Sequence, residues 1–353
     1  MYKKIILFIA ICISGFFIYL GFNIKTSLKP TENKLLTLGY NKEDITVINN
    51  KLKEDNINYL INNPYDESYI SIIKEKDYDD LKLEKYIEYY KLYKAPINET
   101  IALVNMNIDK KYSKNLFALV KEKYYKDSNL ERYYDYLNSY PNLSSSTIVT
   151  YINSNLDHDY YSTNYPSNID KKNLILVNKY YKVDNSYVPD NLVNIGTSYN
   201  GNGQYIQKTV LADYQRMYND MKKLGLNLVV KSSYRSYNRQ NTLYTNYVNI
   251  DGKIAADTYS ARPGYSEHQT GLALDLGTLS TQNLGDFEYT EEFKWMVLNA
   301  YKYGFILRYP KEFENITGYQ YEPWHFRYVG EEVAKYIKDN NIAYEEYYEY
   351  FVK

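Results

Sequence analysis

The chain has 353 residues, with 42 Lys and Arg against 43 Asp and Glu. A net charge of -1 carries no basic excess and excludes a dedicated nucleic-acid binder. At 44% hydrophobic residues it can fill a real core, as two domains or as one domain with a large extension. The 47 tyrosines, with abundant Asn, Lys and Ile, read as a compositional bias rather than as a set of ligand platforms.

Lys3 and Lys4 precede an uncharged apolar run from Ile5 to Ile24. At 1.5 Å rise per residue such a run spans about 30 Å, the hydrocarbon thickness of a bilayer. No small-residue cleavage site follows it, so residues 1–29 are predicted to be an uncleaved N-terminal membrane anchor. The only cysteine, Cys12, lies inside this run, which excludes an internal disulfide. The expected topology places the rest of the chain outside the cell membrane.

Residues 30–160 are predicted to be a helical repeat or stalk region. Glycine is absent from Tyr40 to Asp157, and apolar residues recur at helical spacing, as in Leu83, Tyr86, Tyr89, Tyr90 and Tyr93. Leu83-Glu84-Lys85-Tyr86 returns 47 residues later as Leu130-Glu131-Arg132-Tyr133, and Thr100-Ile101 returns as Thr147-Ile148. A period of this size indicates stacked helical hairpins. No residue of the repeat carries chemistry. His158, between Asp157 and Asp159, reads as a solvated loop residue.

Residues 161–353 are expected to form an α+β domain, with a mainly antiparallel sheet and helices packed on it. Strands are predicted at Leu174–Val177, Leu226–Val230, Leu272–Leu276, Phe305–Leu307 and Trp324–Val329. One helix face runs from Val210 to Leu224 and is closed by Gly225. A second helix, capped by Thr290, runs to about Tyr303, with Gly304 after it, and a last one begins at Gly330.

Only three histidines occur in the chain, and two flank the chemistry-bearing stretches Ser266–Asp275 and Glu322–His325. His268, Asp275 and His325 make a three-donor set of the kind that holds a catalytic zinc and leaves a fourth position open. Glu322 could act as the base on a water that zinc activates, provided a turn at Pro323 brings it to the face of His325.

Taken together, Ser-x-His-x-x-Gly-x-Ala-x-Asp from Ser266 to Asp275 and Glu-x-Trp-His from Glu322 to His325 resemble the VanY-type D-alanyl-D-alanine carboxypeptidases. That family lies within the zinc peptidases that include lysostaphin-like enzymes, D-Ala-D-Ala metallopeptidases and hedgehog domains. The segments Ser233–Ser236, Arg262–His268 and Glu322–Gly330 carry the similarity, which covers roughly residues 170–340 and leaves out the helical repeats. The resemblance implies zinc on His268, Asp275 and His325, and Glu322 as general base. It also implies Arg235 near the scissile carbonyl, and Ser266 and Gln240 in the substrate pocket. Arg262 is expected to be a structural or pocket cation, and Trp324 to pack beside the metal. The implied reaction is removal of the C-terminal D-alanine from peptidoglycan stem peptides. A peptidoglycan endopeptidase and a non-catalytic zinc-stabilised binding domain are the alternatives. The implied partners are the stem peptide and, through the N-terminal helix, the membrane.

Overall fold

The computed structural model describes residues 29–353. The anchor predicted over residues 1–29 lies, but for its last residue, outside that range. Among the described residues no helix is long and apolar enough to cross a membrane. The chain forms two compact units that divide between Ala118 and Leu119, inside the region predicted to be helical repeats.

The first unit is helical. It contains α1 (Pro30–Leu38), α2 (Lys42–Lys51), α3 (Glu54–Asn62), α4 (Glu67–Lys74), α5 (Leu83–Tyr93) and α6 (Ile97–Asn105), and α7 (Lys114–Val120) crosses the division. Asn41 and Asp66 cap α2 and α4 by accepting from backbone N–H groups of the first turn. Of the stripe read from sequence, Leu83, Tyr86 and Tyr89 lie on the buried face of α5 with Ile87, and Tyr90 and Tyr93 are half-buried. Tyr86 donates to Asn105 Oδ1 at 2.5 Å, and Asn105 Nδ2 donates to the Asp77 carbonyl at 2.9 Å.

The second unit opens with α8 (Leu130–Ser139) and α9 (Ser145–Asn153). Here Tyr133 donates to Asn153 Oδ1 at 2.5 Å and Asn153 Nδ2 to the Tyr124 carbonyl at 2.9 Å. Tyr133 and Tyr124 stand one 47-residue period after Tyr86 and Asp77, so the sequence repeat is also a repeat of one hydrogen-bond motif. In both copies an asparagine, buried in the second and half-buried in the first, joins the two helices of a hairpin and accepts from a buried tyrosine.

The remainder is α+β. After short parallel pairing of β1 (Tyr165–Pro166) with β2 (Tyr181–Lys182) come a hairpin of β3 (Leu192–Gly196) and β4 (Gly201–Gln207), then α10 (Lys208–Lys223) and β5 (Val229–Ser232). Next follow α11 (Tyr237–Asp251), α12 (Lys253–Tyr259), β6 (Ala273–Gly277), α13 (Glu291–Asn299), β7 (Phe305–Leu307), α14 (Glu314–Thr317), β8 (His325–Tyr328), α15 (Glu331–Asn340) and α16 (Tyr344–Phe351). Strands β5 to β8 form one antiparallel sheet in the order β5-β6-β8-β7. Helix α10 ends as expected at Gly225, whose φ of 79° lets Leu226 N–H reach the Met221 carbonyl and Gly225 N–H the Lys222 carbonyl. Its buried face, Val210, Tyr214, Met217, Tyr218 and Met221, shares a core with Leu274 and Leu276 of β6 and Phe326 and Tyr328 of β8. Each such side chain contributes on the order of 1.5–3 kcal/mol when buried.

Three strand predictions place the central sheet within a few residues, at β6, β7 and β8, while the strand predicted at Leu226–Val230 begins at Val229. The strand predicted at Leu174–Val177 does not form. Its apolar residues Ile175, Leu176 and Val177 are buried, but the Asn173 and Ile175 carbonyls accept from the Arg327 guanidinium at 2.9 and 2.7 Å rather than from a neighbouring strand. The final helix is two helices, α15 and α16, broken at Asn341 in the left-handed region.

Candidate active site

Alternation along the sheet sets the site. Leu274 and Leu276 point into the core, so Asp275 points to the opposite face, and on β8 the same rule separates Phe326 and Tyr328 from His325 and Arg327. Antiparallel register places Asp275 opposite His325. His268 comes from the short turn Glu267–Thr270 just before β6. Gly271 ends that turn at φ 67°, where a Cβ would stand 2.8 Å from Leu192, which explains the glycine of the motif.

His268, Asp275 and His325 each offer one donor atom, all within 4.8 Å of one another. His268 Nε2 is 3.3 Å from Asp275 Oδ2, and His325 Nδ1 is 3.1 Å from Asp275 Oδ1. The outer nitrogens are engaged elsewhere: His268 Nδ1 with the Ser233 carbonyl at 2.8 Å, and His325 Nε2 with Glu267 Oε2 at 3.3 Å. Two buried imidazoles with one nitrogen each turned inward, beside a carboxylate, are a donor set that suits zinc.

The turn expected at Pro323 is present: His325 N–H donates to the Glu322 carbonyl at 3.1 Å, and Glu322 Oε2 lies 3.6 Å from His325 Nδ1. Burial pushes the Glu322 carboxyl up to about 8, against the pull of His325. Burial alone would also raise the Asp275 carboxyl, but His268 and His325 outweigh it and hold it far below the usual range. His325 is raised to about 9 because its bonds to Asp275 and Glu267 overcome the cost of burial. His268 is lowered, chiefly by burial.

Arg235 follows β5. Its backbone N–H donates to the His268 carbonyl at 3.1 Å, and its guanidinium stands 3.6 Å from Asp275 Oδ2. Nη1 donates to Gln240 Oε1 at 2.7 Å and Nη2 to Ser232 Oγ at 2.9 Å. Gln240 is 1% exposed and spends its amide nitrogen on the Ala261 carbonyl, so its observed contacts hold Arg235 in place.

These residues line a cavity of about 340 Å³ with Ser266, Trp324, Leu243, Leu284, Tyr247, Tyr309 and Tyr319. Ser266 and Gln240 both line this cavity. Arg262 does not line it: its guanidinium pairs with both oxygens of Asp257 at 2.7 and 3.0 Å and stacks 4.0 Å over Tyr161, the structural alternative. His158 lies apart from the donor set, 3.9 Å from Asp157. Sequence reasoning missed Tyr309, whose ring stands 4.9 Å from that of His325, and Tyr319. It also missed Glu267, although that residue sits inside the motif.

Two histidines, two carboxylates and a guanidinium converge in this cavity, a set that suits metal-assisted hydrolysis. The family model described as VanY, D-alanyl-D-alanine carboxypeptidase, matches residues 203–331. The putative carboxypeptidase YodJ of Bacillus subtilis (strain 168) is 45% identical over 194 residues, 52% of this chain and 68% of that protein. A D-alanyl-D-alanine carboxypeptidase of Enterococcus faecium is 38% identical over 187 residues, 50% of this chain and 58% of the enterococcal one. The solved LD-carboxypeptidase LdcB is 42% identical with a TM-score of 0.50, over 54% of this chain and 91% of that chain. The chain belongs to the VanY family of D-alanyl-D-alanine carboxypeptidases. It is a carboxypeptidase enzyme.

Proposed function

We propose that the protein is a zinc-dependent carboxypeptidase that removes the C-terminal D-alanine from peptidoglycan stem peptides. The observation that carries this reading is the convergence of His268, Asp275 and His325 beside Glu322 in one cavity. Zinc held by the three donors would supply Lewis-acid polarisation of a water and of the scissile carbonyl. Glu322 takes a proton from the attacking water and gives it to the leaving amine of D-alanine. Its carboxyl, 3.6 Å from His325 Nδ1, stands beside the donor set that would hold that water. Arg235 faces the charge that develops on the carbonyl oxygen, kept in place by Gln240 and Ser232. Ser266 would meet the terminal carboxylate on the cavity wall, beside Gln240, which holds Arg235. The Ile5–Ile24 segment would anchor the chain with this domain outside the membrane, where such a substrate is found. The test is release of D-alanine from pentapeptide and tetrapeptide stems by the full chain, with and without a chelator. Release that a chelator abolishes and zinc restores is expected. Unchanged release in chelator would sink the zinc mechanism. Comparison of the two stems tells cleavage of a D-Ala-D-Ala bond from cleavage of a D-alanine that follows another residue.

A further inference from the structure

The outer edge of His325 ends on a carboxylate that the proposed reaction does not use. Glu267 is 1% exposed, and its Oε2 lies 3.3 Å from His325 Nε2. Its Oε1 accepts from Arg308 Nε and Arg327 Nη1, both at 2.8 Å. Arg308 turns its remaining nitrogens to Glu345 on α16, Nη1 to Oε2 at 2.9 Å and Nη2 to Oε1 at 2.6 Å. All four charged groups are fully or almost fully buried. Removing such groups from water costs several kcal/mol for each ion, and apolar residues of similar volume often serve stability as well. Stability alone is therefore a weak account of this chain of ions.

We propose that Glu267 is a positioning residue for His325, and that Glu345 holds Glu267 in place through Arg308. This rests on the reading that His268, Asp275 and His325 bind zinc. A neutral imidazole carries one N–H, and an acceptor at Nε2 selects the form that keeps the proton there and leaves the Nδ1 lone pair free. Nδ1 of His325 is the nitrogen that faces Asp275. His268 is served in the opposite sense, since its Nδ1 meets the Ser233 carbonyl and its Nε2 faces Asp275. The two rings, 5.0 Å apart and perpendicular, need opposite tautomers for their lone pairs to converge, and each has an acceptor that enforces its own. The acceptor of His325 is a charged side chain, itself fixed by two arginines. A helix that contributes no atom to the cavity wall thus governs the aim of one donor.

The test is zinc affinity of the full chain, measured by competition with a chromogenic chelator, together with ¹⁵N spectra of the histidine rings. With three histidines in the chain, the spectrum holds few enough signals to assign. Glu267→Gln is expected to weaken zinc binding about 10–100-fold. In the zinc-free variant the neutral His325 ring should lose its preference for the Nε2–H form, while far-UV circular dichroism stays unchanged. Glu345→Gln, which leaves Glu267 in place, should weaken zinc binding by a smaller factor and broaden the same His325 signals. A folded Glu267→Gln chain with wild-type zinc affinity and unaltered His325 signals would overturn the proposal. If Glu267→Gln does not fold, Glu345→Gln decides: wild-type affinity and spectra in that variant overturn it. A wild-type chain that takes up no zinc would remove the metal reading, and this proposal with it.

Discussion

Glu322 and His325 face each other across a single proline-centred turn, with Oε2 and Nδ1 3.6 Å apart. The turn places a carboxylate beside His325 without making it part of the donor set. Glu322→Gln keeps the shape of the side chain and removes its basicity. We expect kcat for D-alanine release to fall about 10²–10⁴-fold. KM and bound zinc, measured by elemental analysis, should stay near wild type. Full activity in the variant would end the assignment of Glu322 as base.

Arg235 and Gln240 are expected to act as one unit, because Gln240 Oε1 accepts from Arg235 Nη1 at 2.7 Å. Arg235→Ala should lower kcat about 10²–10³-fold, the usual cost of losing a donor to a developing oxyanion. Gln240→Ala should cost less, and the double variant should match Arg235→Ala alone. If the two effects add, Gln240 meets the substrate in its own right.

Lys179 gives the protein a pH signature. Its ammonium is 2% exposed, lies 4.4 Å from the Tyr319 ring centre, and donates to the Asp257 and Gly318 carbonyls. Burial lowers it from 10.5 to about 8, so between those values the unfolded chain binds more protons than the folded one. Stability from this group therefore rises with pH: its charge costs fully below pH 8, and the cost is gone above 10.5. Relative to Lys179→Met, wild type should gain roughly 3 kcal/mol across that window in denaturant titrations. A stability difference that stays flat from pH 8 to 10.5 would contradict it.

The second helical copy is tied to α16. Tyr124 stacks on Tyr350 with ring centres 3.7 Å apart, Thr150 bonds the Tyr350 hydroxyl at 2.9 Å, and Lys126 Nζ reaches the Glu349 carbonyl at 2.8 Å. A chain of residues 119–353 is expected to fold and release D-alanine at near wild-type kcat. Removal of residues 119–157 as well should lower Tm by about 6–12 °C, from a loss of about 3 kcal/mol at about 2–4 °C per kcal/mol. Thermal melts of the two truncations check this.

Asn153→Ala strips a buried partner from Tyr133 and from the Tyr124 carbonyl at once. The expected destabilisation is about 2–4 kcal/mol by urea titration, since buried polar groups left without partners cost 1–3 kcal/mol each. Asn105→Ala should cost less in the first copy, where Asn105 is only half-buried, with little effect on peptide release by the second unit.

Much of the site was legible because its residues are scarce or fixed in pattern. Three histidines and a motif with small residues at 271 and 273 left few competitors for the donor set. Strands β6 and β8 announced themselves as short apolar runs holding one acid or one histidine each. The buried ions were not legible. Glu267, Arg308, Arg327 and Glu345 have no periodicity, and a charge is read as exposed until its partners are seen. Tyr309 and Tyr319 were hidden among 47 tyrosines. Ile175–Val177 misled because an apolar run gives burial but not the partner of its backbone, and here that partner is an arginine. The hairpin β3–β4 was missed since Gly201, Asn202, Gly203 and Gln204 leave it almost no apolar alternation.

Strand register, rather than closeness in sequence, sets Asp275 opposite His325. The chain between them travels through α13, β7 and α14 and returns, and on the way it supplies Leu284, Tyr309 and Tyr319 to the cavity wall. Arg308, Glu322 and β7 are fixed points of that excursion, and Leu284, Tyr309 and Tyr319 can change between them while β6 and β8 stay aligned. Substitution of those wall residues would therefore change which peptide the cavity accepts without moving Asp275 from His325. The fold separates inheritance of the chemistry from inheritance of the taste.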